Sequence, residues 1–229
     1  VTADGALTLT LKYSRNSYSL TYTVDGAQYG EKKIYKFGEA VTAIEAPSKT
    51  GYTFSGWNGV PSTMPANDVT VTGTFTVNSY KLTFMSDGKV YDEKTYDFGA
   101  DVTAPAAPTK TGYTFAGWDK EIPAAMPAEN TVITAKWNVN KYTITFDTDG
   151  GTDIPAITQD YGTDVTAPAE PTKTGYKFAG WDKDIPAAMP AENTVITAKR
   201  IPASDTSVKV EYYVESLTGE YVLKNTLVD

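Results

Sequence analysis

The chain contains neither cysteine nor histidine, and only four methionines and four tryptophans. Without cysteine, no disulfide or thiolate metal site can staple the fold. Without histidine, the usual general base and the commonest transition-metal ligand are missing as well. No apolar run approaches the roughly 18 residues that mark a membrane-spanning helix. Cations are also scarce: 20 Lys and Arg stand against 28 Asp and Glu, a net charge of −8. Nucleic acid, which rewards clustered Lys and Arg, is therefore not an expected partner. The chain starts at Val1 without Met or signal peptide and reads as a piece of something longer.

What is abundant is repetition. Lys-Thr-Gly-Tyr-x-Phe-x-Gly-Trp stands at 49–57, 110–118 and 173–181, followed each time by Met-Pro-Ala and an alternating Thr/Val run. Residues 108–136 and 171–199 match at 27 of 29 positions, differing only at Thr114/Lys177 and Glu121/Asp184. A period near 62 residues means one very small domain in tandem. Modules of that size bury only about 60% of their unfolded surface. The 16 Tyr, 8 Phe and 4 Trp must therefore supply the core.

In the third copy, Tyr142 to Asp147 alternates apolar and polar residues, the period of a half-buried strand. Asp149-Gly150, like Asp25-Gly26 and Asp87-Gly88, signals a hairpin turn. A strand returns through Ile157 to Tyr161, and Asp164 is placed to cap one helical turn before Pro168 and Pro171. Tyr176 to Trp181 and Thr194 to Lys199 read as the remaining strands. The expected boundaries are 1–17, the last strand of a preceding repeat; 18–77, 78–138 and 139–201, the three repeats; and 202–229, a hairpin opening a different module. The short join at Asn138 to Lys141 limits swivelling.

Candidate chemistry is thin. Asp119 with Glu121, or Asp182 with Asp184, imitates a glycosidase pair, but such pairs need a set separation across a cleft, and the first copy has Asn58-Gly59 there. Asp147, Asp149 and Asp153 imitate a calcium loop without the closing Glu or flanking helices. Trp57, Trp118 and Trp181 read as core anchors, with a sugar-stacking platform as the rival. Lys136, Lys199, Asn130 and Asn193 offer the partners of an isopeptide staple. No catalytic, cofactor or metal residue is assigned.

The pattern carried by Tyr142 to Phe146, Gly150-Gly151, Tyr161-Gly162, Pro168 to Trp181 and Thr194 to Lys199 resembles the Listeria–Bacteroides repeat, or internalin B-repeat, family. Copy one departs at Ala46-Pro47-Ser48 and Gly73-Thr74-Phe75, and copy three ends Ala198-Lys199-Arg200. The resemblance implies a β-rich α+β fold, an elongated array of small β-grasp-like modules, in secreted or wall-anchored bacterial surface proteins without catalytic activity. The tail from Val208 looks like the opening of a mucin-binding-type repeat.

The sequence thus reads as a stalk of a cell-surface protein that contributes to adhesion. Its expected partner is a host or neighbouring-cell surface protein or glycan, and intermolecular strand pairing through 6–13 or 208–223 is a further expectation. A carbohydrate-binding array is the alternative, and accessory domains of a secreted enzyme the second alternative. Small-angle scattering checks the stalk: a radius of gyration of about 25 to 32 Å is expected, against about 17 Å for a compact globule of this length. The compact value would exclude it.

Overall fold

The alternation of apolar and polar residues sets the layout of each copy, and the strands form where it is strongest. The computed structural model describes residues 5, 9–203 and 209–228. The first copy contains β1 (Ser17–Val24), β2 (Ala27–Gln28), β3 (Lys33–Lys36), β4 (Tyr52–Phe54), β5 (Val69–Gly73) and β6 (Phe75–Val77). The second contains β7 (Ser79–Ser86), β8 (Lys89–Asp97), β9 (Tyr113–Trp118) and β10 (Thr131–Val139), and the third β11 (Lys141–Asp147), β12 (Ile157–Asp160), β13 (Tyr176–Trp181) and β14 (Thr194–Pro202). A separate hairpin, β15 (Lys209–Glu215) and β16 (Tyr221–Val228), follows.

The later copies share one topology, β8-β7-β10-β9 and β12-β11-β14-β13. The first strand of each pairs antiparallel with the second and parallel with the last. In the first copy the last strand is interrupted at Thr74, so β5 pairs with β1 while β4 and β6 form their own pair. By compactness the chain divides into Val1–Ala106 with Trp118–Ala135, and Ala107–Gly117 with Lys136–Asp229. The division falls inside the second copy, and β10 runs from one unit into the other.

Each Asp-Gly pair is a turn with positive φ at both residues: 49° and 84° at Asp25-Gly26, 51° and 73° at Asp87-Gly88, 49° and 71° at Asp149-Gly150. Positive φ at both centres is the primed geometry that suits the twist of a hairpin, and Asp and Gly tolerate it best.

The α+β class and the β-grasp comparison are corrected: among the described residues there is no helix. The helical turn expected at Asp164 is an extended bridge to Ala188. Two causes are local. Pro168 and Pro171 interrupt any helix, and the amides of Gly162 and Val165 donate instead to Met189 and Ala187 carbonyls at 2.9 Å each. In the expected N-terminal strand, residues 9–16 have no regular structure, since a strand needs a partner along its length, and 6–8 lie outside the described residues. Val208, the start of the expected C-terminal hairpin, also lies outside them. No described helix is long and apolar enough to cross a membrane.

Three equivalent cores result. Leu20, Tyr22, Met64 and Val71 form the first, Leu82, Phe84, Met126 and Ile133 the second, and Ile144, Phe146, Met189 and Ile196 the third. Two residues come from the first strand at i and i+2, one from the last strand, and one is the Met of Met-Pro-Ala. That Met is almost completely buried although it lies on a loop. Its backbone explains this: Met126 N–H donates to Ala100 O at 2.9 Å, and its carbonyl accepts Gly99 N–H at 2.9 Å. The same two bonds hold Met64 and Met189. The unbranched thioether then reaches into the space beneath the sheet.

Tyr22 stands where the other cores have Phe84 and Phe146, and its buried hydroxyl has no hydrogen-bond partner among the described residues. An unsatisfied buried polar group destabilises by about 1 to 3 kcal/mol. Tyr22→Phe is therefore expected to stabilise the first copy by about 1 kcal/mol in denaturant melts. A loss of stability would mean that the hydroxyl is satisfied.

Candidate functional site

Four of the proposed chemical residues, Asp119, Asp182, Asn130 and Asn193, are engaged in holding strands. Asp119 and Asp182 each accept a backbone N–H, from Thr134 and Thr197, at 2.6 Å. Asn130 and Asn193 accept the N–H of Lys81 and Thr143 at 2.8 and 2.9 Å, pinning the start of the parallel pair. Both amides are exposed, as are Lys136 and Lys199, whereas an isopeptide bond forms in a buried setting. Asp68 takes the same place in the first copy and accepts Ser19 N–H at 2.7 Å, which holds its carboxyl below the ordinary carboxylate value.

No group of three metal-ligating side chains gathers among the described residues. Asp147 accepts Asp149 N–H at 3.0 Å, while the Asp149 carboxylate lies 3.5 Å from Lys173 Nζ and 3.9 Å from Arg200 Nε. Arg200 stands where the second copy has Trp137. Its side chain is buried, and Nη2 and Nη1 donate to the Thr148 and Pro171 carbonyls at 2.6 and 3.3 Å. A guanidinium thus ties the Asp-Gly turn to the proline loop.

The tryptophans pack inward. Trp57, Trp118 and Trp181 are half-buried against their cores, with Tyr22, Phe84 and Phe146 rings 4.7, 4.9 and 5.3 Å away. Trp57 Nε1 also donates to Ile44 O at 3.0 Å. A sugar-stacking face requires an open ring, and these three rings are partly covered by their cores.

The recurring built feature lies where one copy meets the next, and the sequence reading did not find it. In the first unit, Phe98 of the second copy closes over Gly51 of the first. A Cβ on Gly51 would lie inside the Phe98 ring, and Tyr52 meets that ring edge-on with centroids 6.0 Å apart. In the second unit, Tyr161 closes over Gly112 in the same way, with Tyr113 edge-on at 5.9 Å. Both glycines have positive φ, 77° and 78°, so two demands select Gly here.

An asparagine completes each junction. Asn78 N–H donates to Gly51 O at 2.9 Å while its carbonyl accepts Phe98 N–H at 2.8 Å. Asn140 repeats both bonds with Gly112 and Tyr161. Thr53 and Thr114 donate to the Asn78 and Asn140 side-chain oxygens at 2.6 Å. Lys49 and Lys110 stand over Tyr52 and Tyr113, 3.8 and 4.2 Å from the ring centroids. The clue available in the sequence was the aromatic-Gly pair at 37–38, 98–99 and 161–162, in phase with Gly-Tyr.

The chain is similar to known proteins. The chain is 27% identical over 196 residues to a protein of Evansella cellulosilytica named "Putative membrane protein", covering 78% of this chain and 30% of that one. It is 38% identical over 112 residues to Internalin H of Listeria monocytogenes, covering 44% of this chain and 20% of that protein. The chain therefore spans less than a third of the length of either relative. The family model of the Listeria-Bacteroides repeat domain matches 18–78, 80–136 and 142–207, and with three matches over most of its length the chain belongs to that family.

Proposed function

We propose that this region is a non-enzymatic spacer within a bacterial cell-surface protein, one that contributes to adhesion by presenting other parts of the chain. The junction carries this reading. A catalytic or ligand-binding module needs a cleft, whereas here the repeated polar and aromatic residues are spent on joining one copy to the next. The joint combines a ring seated on backbone, a charged group on its Tyr and hydrogen bonds through a single Asn, so within each unit the chain on one side of the joint is held to the chain on the other. Loose linkers would give independent beads, and a spacer gains reach from stiffness.

Membership of the family and the naming of relatives as Internalin H and as a membrane protein support placement at the cell surface. The half-buried tryptophans favour this reading over a carbohydrate-binding array. The engagement of Asp119 and Asp182 with backbone favours it over enzymatic work.

The joint is testable in the intact chain by nitrogen-15 relaxation. β1 and β3 are expected to share one rotational correlation time with β7 and β8. Phe98→Ala should shorten the value for β1 and β3 while leaving their amide shifts native. Independent tumbling already in the unmodified chain would contradict the spacer reading.

A further inference from the structure

The second copy ends its sheet differently from the other two. In the order β8-β7-β10-β9 one flank is β8, a strand of nine residues. The corresponding flanks are β2 and β3, of two and four residues, in the first copy and β12, of four, in the third. Seven of the nine residues of β8 are exposed. A short edge strand leaves few free backbone groups, whereas a long one offers a row of them to another chain.

Which groups face outward follows from the ladder. Lys81 N–H donates toward β10, to Asn130 Oδ1 at 2.8 Å, so by alternation Tyr80, Leu82 and Phe84 turn their backbone groups toward β8. Their partners Tyr96, Lys94 and Asp92 are bonded inward, and Glu93 and Thr95 direct N–H and C=O away from the sheet. A register shift opposite Phe84 and Met85 places a bulge at Tyr91, close to the turn, and leaves Asp92 to Asp97 in regular register.

The charges on this edge are self-complementary about Glu93. When two β8 strands lie antiparallel with their Glu93 residues opposite, Asp92 of each faces Lys94 of the other. Asp92 and Lys94 share one face of the strand, 3.7 Å apart, so the four charges form an alternating square. Glu93 is neutralised on its own sheet, where its carboxylate accepts bonds from Lys81 Nζ at 2.7 Å and Thr83 Oγ1 at 2.9 Å. The neighbouring registers lack this match. Centred on Lys94, the strands set Lys94 against Lys94; centred on Thr95, they set Glu93 against Asp97; centred nearer the turn, they meet the bulge. Like charges directly opposite destabilise a strand pair.

We propose that two molecules of this protein pair through β8, edge to edge and antiparallel about Glu93, joining two four-stranded sheets into one. The proposal goes beyond the spacer reading, which concerns joints within one chain, and either can fail without the other. Both molecules use the same surface, so the contact is isologous and closes at two. A contact this short is weak, with a dissociation constant on the order of 0.1 to 1 mM.

Charge reversal tests the register. Asp92→Lys sets cation against cation at both cross-strand pairs, and Lys94→Asp sets anion against anion. Mixed together, the two variants restore both pairs. Sedimentation velocity and light scattering on the full chain, up to about 1 mM, should show the unmodified protein gaining mass toward a dimer and no further. Each variant alone, with native circular dichroism, should associate at least about tenfold more weakly, and the equimolar mixture should regain dimers. A monomeric unmodified chain would overturn the proposal, as would single variants that dimerise like it or a mixture that stays monomeric. Growth beyond the dimer would overturn it too, by assigning association to another edge such as the β15–β16 hairpin. Amide spectra of the unmodified chain give a reading that needs no variant. The Glu93 and Thr95 N–H signals should move downfield as concentration rises, and unchanged signals in a chain that gains mass would contradict pairing through β8.

Discussion

A missing side chain is the constraint on which the junctions depend. An aromatic ring can lie directly on backbone only where no Cβ intervenes, and Gly51 and Gly112 provide that space beneath Phe98 and Tyr161. The positive φ at both positions turns the chain so that the following Tyr meets the seated ring edge-on. Edge-on aromatic pairs contribute about 0.5 to 1.5 kcal/mol beyond the area they bury. In a module small enough to bury only about 60% of its unfolded surface, that contribution is a sizeable part of the whole. The Asn at each join makes the geometry cooperative, because one residue bonds the glycine behind it and the ring-bearing residue ahead.

The cores follow the same economy of parts. Two alternate residues of the first strand, one of the last and a single loop Met suffice for each copy. The loop Met is not held by its own hydrophobicity alone, since its backbone is bonded to the corner that carries the aromatic-Gly pair. Core and junction are thereby coupled: Met126 fixes Gly99, and Gly99 follows the ring that closes on the preceding copy. Arg200 shows how the third copy differs. With no aromatic at that position, a buried guanidinium ties the Thr148 and Pro171 carbonyls together.

The strands were legible because period-two alternation and Asp-Gly turns are local signals, and Tyr142 to Asp147 carries both. The helix expected at Asp164 was not realised because its cue was local while the outcome was tertiary: the Gly162 and Val165 amides bond the Met-Pro-Ala loop 22 to 27 residues away. The tryptophans were read as anchors and lie half-buried against their cores, yet the fully buried loop methionines had drawn no role. A methionine between two prolines carries no periodicity to read. The junction was missed for a related reason. Its parts, Gly112, Asn140 and Tyr161, lie far apart in sequence, and an aromatic-Gly pair reads as an ordinary strand end until the fold places it on the preceding copy.

The seating of a ring on each junction glycine can be observed directly by proton NMR of the intact chain. The α-protons of Gly51 and Gly112 should lie well upfield of the usual glycine range because ring currents of Phe98 and Tyr161 act on them. Those of Gly175, with open space where a ring would sit, should lie within that range, and Phe98→Ala should return Gly51 alone to it. If Gly51 and Gly112 instead resonate with Gly175 in the unmodified chain, the rings are not seated and the account of the junctions fails.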